Sequence, residues 1–267
     1  SRDCFAEEAS VTAGLEHPSI VSVHEYHQDD GGAFFYVMRL VDGQTLSARI
    51  REYHWPVAEQ GASERRLACR DLVQSFVSVC DAMAYAHVRG VLHCDLKPGN
   101  VVVGEFGEAV ILDWGSAKRV PPISSSSAPG GDAPGSIVVG TPDYMPPEQA
   151  DGKADVRSDV FGLGAVLYEM LTGQPVYDWG RNFRPADWRR IVREAQIAPP
   201  RSLKRGAPRV LGSICMKALA RDPVARYQSA AAFARDVRRY LAHETVKAHP
   251  EPVAKRAWRW FCSLLGA

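Results

Sequence analysis

The chain has 267 residues and a mass of 29.3 kDa, with 46% hydrophobic and 24% charged residues and a mean hydropathy of −0.20. These values exclude a wholly disordered chain, a collagen-like fibre and a polytopic membrane protein. The 32 Lys and Arg against 31 Asp and Glu leave a net charge of +1, which sets up no overall field toward nucleic acid or acidic lipid, so partners must be read from sites.

The first residues, Ser1-Arg2-Asp3, lead into an amphipathic stretch and not into the apolar core of a signal peptide. The first residue is not Met, so either the chain is processed or its true beginning is absent. Residues 3–15 carry Phe5, Val11 and Leu15 among acidic residues and alanines, a short helical pattern that ends before His17-Pro18. Two strand-like runs follow, residues 20–24 and 34–40, separated by the turn-rich Gln28-Asp29-Asp30-Gly31-Gly32, which together predict a hairpin. Residues 65–88 predict a long helix with Leu72, Val73, Phe76, Val79, Cys80, Met83 and Ala84 on one face, closed by Gly90.

Short β-branched runs at 91–92, 101–103 and 110–112 lie close together with polar loops between them. The stretch 121–135 is rich in Ser, Pro and Gly and buries too little apolar surface to offset its ordering entropy, so it is expected to be a mobile loop. Beyond it the pattern is helical. Residues 156–171 are apolar on nearly all faces, which predicts a buried helix, and 210–219 and 230–241 are amphipathic. A few strands followed by a helical body make an α+β organisation in two unequal parts. The six cysteines, Cys4, Cys69, Cys80, Cys94, Cys215 and Cys262, include no C-x-x-C pair and fit a reducing compartment better than a disulfide framework.

The segment richest in chemistry is His93-Cys94-Asp95-Leu96-Lys97-Pro98-Gly99-Asn100, with Asp113-Trp114-Gly115 thirteen residues on. Short neighbouring strands pin both loops. Asp95 can accept a proton, Asn100 and Asp113 offer hard oxygens suited to Mg²⁺, and Lys97 supplies a cation where phosphate charge must be neutralised.

This segment resembles the catalytic loop of eukaryotic-type protein kinases, H-R-D-L-x-x-x-N, and Asp113-Trp114-Gly115 is similar to their D-F-G. The likeness continues in order along the chain. Gly140-Thr141-Pro142-Asp143-Tyr144-Met145-Pro146-Pro147-Glu148 resembles the G-T-x-x-Y-x-A-P-E segment that closes the activation loop, and residues 158–164 resemble the start of the buried helix after it. Arg221-Asp222-Pro223 with Arg226 resembles the closing motif, which implies that Arg226 pairs with Glu148. Lys97-Pro98 and Thr141 are similar to the serine/threonine branch, and Leu112-Asp113-Trp114-Gly115 to its bacterial style. Tyr36-Val37-Met38-Arg39-Leu40-Val41 resembles the last small-lobe strand and the hinge.

The resemblance implies a bilobal α+β fold with a truncated small lobe, holding the family's C helix and its fourth and fifth strands, and a mainly helical large lobe. The expected parts are a partial small lobe over 1–42, a large lobe over 43–243 and a basic, aromatic tail over 244–267. It implies a protein serine/threonine kinase that uses ATP and Mg²⁺ on protein substrates, in the cytoplasm or at the cytoplasmic face of the membrane. Asp95 takes the proton of the acceptor hydroxyl, Lys97 steadies the transferring group, Asn100 and Asp113 hold the metal, and Thr141 completes the catalytic set. Met38 is the gatekeeper, backbone groups of Arg39 and Val41 meet the adenine edge, and Glu8 stands where the C helix carries its glutamate. Ser124, Ser125, Ser126, Ser127, Ser136 and Thr141 are candidate phosphorylation sites.

Four departures qualify the match. Cys94 replaces the catalytic-loop arginine and cannot bind phosphate in a fork, so activation-loop phosphorylation is not expected to be read through this position. Trp114 replaces Phe and Pro146 replaces Ala. Before Glu8 there is neither a glycine-rich loop nor a V-A-I-K lysine, and only seven residues stand where the family's first three strands would take on the order of 30 to 40. A fragment of a complete kinase and a kinase-like scaffold both account for this, and the retained Asp95, Asn100 and Asp113 favour the fragment. Little or no phosphate transfer is expected of the 267 residues alone. The tail, residues 255–267, mixes cations with Trp258, Trp260 and Phe261 and is too short and charged to span a bilayer; it reads equally as an interfacial or juxtamembrane helix and as a helix packed on the large lobe.

Overall fold

The computed structural model describes residues 2–28, 31–32, 34–57, 61–120, 140–180 and 183–249, with side chains from Glu8 onward. Helix α1 (Arg2–Ala13) buries Ala9 and Val11, and Leu15 just beyond its end is buried too. The apolar run after it does not form the strand that its side chains predict. Ile20 makes a parallel bridge with Ile111, and the Val21 amide donates to the Ile111 carbonyl at 3.0 Å, so both residues are inserted into the body of the molecule. The strand proper, β1 (Val23–Gln28), starts three residues later and pairs antiparallel with β2 (Phe34–Met38), Tyr26 facing Tyr36. The predicted strand over 20–24 is therefore corrected to 23–28: burial concentrated the apolar residues, while the paired strand is largely exposed.

Strand β3 (Gln44–Thr45) leads directly into helix α2 (Leu46–His54), which the periodicity had not marked. Its start signal is Thr45, whose Oγ1 accepts from the Ala48 amide at 3.2 Å, and its buried Leu46, Ile50 and His54 recur every four residues. Helix α3 (Ala62–Val88) buries Leu72, Val73, Phe76, Val79, Cys80 and Met83, six of the seven residues expected on its apolar face. Four short strands follow: β4 (Val91–Leu92), β5 (Val101–Val103), β6 (Ala109–Ile111) and β7 (Lys118–Arg119). β5 lies between β3 and β6, β4 pairs with β7, and all these pairings are antiparallel. The two small sheets hold the loops 93–100 and 112–117 between them.

The rest of the described chain is helical. α4 (Val156–Thr172) is buried along nearly its whole length, as its all-round apolar pattern predicts, and is capped by Asp155, which accepts from the Arg157 amide at 2.7 Å. α5 (Trp188–Glu194), α6 (Pro200–Leu203), α7 (Arg209–Ala218) and α8 (Ala230–Leu241) complete the body, with α3, α7 and α8 packed around α4. Phe233 of α8 stands edge-on to Phe76 of α3 at 5.7 Å, joining the two amphipathic faces. Beyond α8, Asp236 accepts the amides of Lys247 and Ala248 and Val246 is buried, so residues 244–249 are strapped to this body.

The organisation is α+β with a mainly helical larger part, as the sequence predicts. Among the described residues no helix is long and apolar enough to cross a membrane, and Cys69, Cys80 and Cys215 are free thiols. The Ser-rich stretch, Ser136 and the basic, aromatic residues 255–267 lie outside the described residues.

Candidate active site

The site is built on one buried carboxylate. Asp159, in the first turns of α4, accepts from the His93 amide and the Cys94 amide, each at 2.9 Å, and from His87 Nε2 of α3 at 2.8 Å. Burial works to raise its pKa, but the His87 hydrogen bond and charge and the neighbouring His93 outweigh it and hold the carboxyl below its ordinary range. Asp159 thereby ties α3 and α4 to the start of the 93–100 loop. Cys94 is held in the left-handed region (φ 63°), and its carbonyl accepts from Gln149 Nε2 at 2.6 Å. Gly140, at φ 118°, lies against this carbonyl: a Cβ there would come within 2.7 Å of it, so only glycine lets the two segments touch.

That contact brings Thr141 to Asp95. The Thr141 amide donates to Asp95 Oδ1 at 2.6 Å, Lys97 Nζ donates to Asp95 Oδ2 at 2.7 Å, and Lys97 also donates to Thr141 Oγ1 at 2.9 Å. Both carboxylate oxygens are thus fixed by donors from opposite sides. Asn100 Nδ2 donates to the Asp95 carbonyl at 3.2 Å, and the Asn100 carbonyl accepts the Leu112 amide at 2.8 Å. This second bond fastens the loop beside Asp113, an exposed carboxylate whose Oδ1 accepts the Gly115 amide at 3.0 Å. Between them Trp114 is fully buried, its ring 4.7 Å from that of His93. Burial keeps His93 neutral by lowering its pKa against the pull of Asp159, Asp95 and Asp113. The Trp114 indole N–H and His93 Nε2 are buried without a partner among the described residues.

Glu8 of α1 reaches the same place from the other side. Its Oε1 accepts from the Tyr36 hydroxyl at 2.8 Å, and a Cβ built on Gly115 would lie 3.0 Å from Glu8 Oε2 and 3.2 Å from Asp113 Oδ1. The two carboxylates therefore converge on Gly115. Burial, the Glu8 hydrogen bond and the charges of Glu8 and Asp113 push the Tyr36 hydroxyl up to about 12, so it stays a neutral donor.

Met38 ends β2, and Arg39 and Val41 lie in the link between β2 and β3. The Arg39 amide is engaged by the Ser22 carbonyl at 2.9 Å, while Gln44 pairs with Val103 of β5, so the link is tied at both ends, one of them beside the 93–100 loop. Farther out, Arg226 and Glu148 form the expected pair, with Nη1 and Nη2 meeting Oε1 and Oε2 at 2.6 and 2.8 Å.

The structure thus gathers Asp95, Lys97, Asn100 and Thr141 into one cluster and Glu8 and Asp113 into a second at Gly115, with the Asn100–Leu112 bond bridging them. Three supporting residues were absent from the sequence-derived set: Tyr36, His87 and Asp159. Asp159 carries a signal in the sequence, a carboxylate next to the long apolar run of α4, a group that cannot be buried there without donors. As for a cation, one carboxylate and one amide oxygen supply hard donors and leave coordination positions for water and phosphate, which fits Mg²⁺. Among the described residues no group of three or more His, Cys, Asp or Glu is placed to hold a metal ion.

The profile of the protein kinase domain family matches residues 1–237. The serine/threonine-protein kinase PknD of Protochlamydia amoebophila (strain UWE25) is 35% identical over 257 residues, covering 89% of this chain and 25% of the relative. PknD of Chlamydia felis (strain Fe/C-56) is 35% identical over 253 residues, covering 89% of this chain and 26% of the relative. PknD of Chlamydia trachomatis serovar D is 31% identical over 291 residues, covering 99% of this chain and 30% of the relative. The chain spans between a quarter and a third of the length of these curated relatives.

Proposed function

The chain belongs to the protein kinase domain family, and from that premise we propose that it transfers the γ-phosphoryl group of ATP to serine or threonine hydroxyls of proteins in the cytoplasm. The observation that carries this reading is the fixing of Asp95 between Lys97 and the Thr141 amide. A carboxylate held by two donors keeps a defined direction. It orients the acceptor hydroxyl and takes its proton as the oxygen attacks phosphorus. The bond that forms joins acceptor oxygen to the γ-phosphorus; the bond that breaks releases ADP.

Lys97, already directed toward Asp95 by Thr141 Oγ1, adds positive charge where the transferring group becomes more negative. Asn100 and Asp113 are the residues that would hold Mg²⁺, which supplies neutralisation of phosphate charge when bound. Met38 borders the adenine, with backbone groups of Arg39 and Val41 along its edge. Positioning and charge supply most of the rate enhancement, since the reaction asks for little covalent chemistry from the protein.

The test is transfer of ³²P from labelled ATP to a mixed protein substrate by the complete gene product, followed by phosphoamino-acid identification. Phosphoserine or phosphothreonine supports the reading. Phosphotyrosine alone, or Mg²⁺-dependent ATP binding with no transfer at all, replaces it with a tyrosine-directed enzyme or a nucleotide-binding scaffold respectively.

A further inference from the structure

Residues 183–209 hold eight Lys or Arg and two Asp or Glu, in a chain whose net charge is only +1. Positive charge is thus concentrated around α5, and α5 lies beside the segment that fixes Asp95. Three side-chain hydrogen bonds make that link. The Tyr177 hydroxyl donates to the Met145 carbonyl at 2.7 Å, the Trp179 indole N–H donates to Asp143 Oδ1, and Arg193 Nε of α5 donates to Asp151 Oδ1 at 2.8 Å. The Trp179 ring in turn packs on Phe183 at 4.9 Å, which sets Arg184, the next residue, near the segment whose Thr141 amide holds Asp95. We propose that Arg184 and Arg189 form a docking surface for acceptor proteins that carry Asp or Glu close to the serine or threonine to be phosphorylated. This inference rests on the kinase reading and adds to it the chemistry of the substrate.

The charge left unanswered is what points to an acidic partner. Arg193 is met by Asp151 and Arg190 by Glu194 at 3.0 Å, so these cations are engaged within the molecule. Arg184 and Arg189 are exposed and, among the described residues, pair with no carboxylate, Asp187 between them included. Arg189 lies over the Trp188 ring at 5.1 Å, which fixes the guanidinium plane and leaves its N–H edge for a carboxylate. Asp143 and Glu169, acids of the neighbouring elements, each direct an oxygen inward, to Trp179 and to the Tyr144 hydroxyl at 2.6 Å.

Place decides the occupant. A lipid surface or a nucleic acid selects a broad, uniformly basic face. Here unpaired arginines alternate with ion pairs and stand beside the segment that holds the proton-accepting carboxylate, where an acceptor polypeptide must lie. An extended polypeptide rises about 3.3 Å per residue, so the path from Asp95 through Asp143 and Trp179 to Arg184 corresponds to roughly four to six positions along the acceptor.

The test uses two peptides with the same acceptor serine, one carrying Glu and the other Gln at the flanking positions on both sides. With the complete gene product, KM for the Glu peptide is expected about three- to tenfold below that for the Gln peptide, a gap that narrows as salt is raised. Arg184→Gln combined with Arg189→Gln should close the gap by raising KM for the Glu peptide alone, with kcat for both peptides within about twofold of the wild type. No gap in the wild type, or a gap that survives in the double variant, overturns the inference. So does an equal loss on both peptides, which marks a structural role. Fluorescence anisotropy of the same peptides, labelled and with alanine in place of the acceptor serine, reads docking without phosphate transfer. If the gene product transfers no phosphate to any acceptor, the kinase reading fails and anisotropy still decides. Tighter binding of the Glu peptide that is lost in the double variant upholds the docking surface, and equal binding of the two peptides overturns it. Binding of phosphatidylserine vesicles or RNA that needs both arginines, with no preference between the peptides, overturns it as well and assigns the surface to those occupants.

Discussion

Arg226 meets Glu148 as a fork on a fork, with both terminal nitrogens on both carboxylate oxygens, and its remaining donors go to the carbonyls of Ala220, Arg157 and Arg221. The guanidinium is buried against the Phe161 ring at 4.9 Å. One side chain thus joins the segment 140–152 to α4 and to the connection between α7 and α8. Removing the guanidinium leaves Glu148, a part-buried carboxylate, with the Ser158 hydroxyl at 2.8 Å in place of a charged partner. Arg226→Ala is expected to lower stability by about 3–5 kcal/mol in chemical denaturation. Arg226→Lys, which cannot reproduce the fork, should fall in between.

Asp159 supports the catalytic loop through three donors, and its replacement strands them. Asp159→Ala should cost about 1–3 kcal/mol for each amide left unsatisfied and should reduce phosphate transfer by at least an order of magnitude, because His93 and Cys94 lose their anchor. Denaturant midpoints and transfer rates measured on the same preparation check this. Wild-type transfer in a destabilised variant would show that the loop is held by other means.

Thr141 contributes its amide to Asp95 and its hydroxyl to Lys97, and the two can be separated. Thr141→Ser retains both and should transfer at near the wild-type rate. Thr141→Ala keeps the amide contact and leaves Lys97 held by Asp95 alone, with an expected loss of about tenfold in kcat, the equivalent of one charge-assisted hydrogen bond. Equal rates for the two variants would remove Lys97 orientation from the mechanism.

Three histidines, His54 and His93 buried and His17 part-buried, set a pH dependence whose sign is fixed. Burial lowers the pKa of His17, His54 and His93 below the ordinary 6.5. The unfolded chain therefore takes up protons near pH 6.5 that the folded chain refuses. Their stabilisation is fully present above pH 6.5 and is lost as pH falls from there toward the folded values. Glu169, whose pKa burial raises, pulls the other way at the acid end. The midpoint of urea unfolding should decline between pH 7 and pH 5.5, and His54→Gln, which cannot take up a proton, should flatten part of that slope.

Much of this was legible in the chain because the signals were local and periodic. The apolar stripe of α3, the all-round apolar α4 and the amphipathic α8 are properties of spacing alone, and the structure reproduces their bounds to within a few residues. The strand before Tyr26 was misplaced because Ile20 and Val21 are apolar for a tertiary reason, their insertion beside Ile111. Helix α2 went unmarked because three apolar-facing positions in nine residues, one of them a histidine, give a faint period, although Thr45 before Leu46 is a capping signal. At the site, the ionisable residues of the loops could be identified one by one, whereas Tyr36 and His87 act only through partners 28 and 72 residues away. No spacing in the sequence encodes such contacts.

The proposed reaction turns on Asp95 as the group that receives the acceptor proton. Its most direct test is the single-turnover rate of phosphate transfer by the complete gene product carrying Asp95→Asn, measured beside the wild type at saturating Mg·ATP. The amide keeps the size of the side chain but is a far poorer base, so the rate is expected to fall by about 10²- to 10⁴-fold with nucleotide affinity little changed. A variant that transfers at the wild-type rate would contradict the assignment.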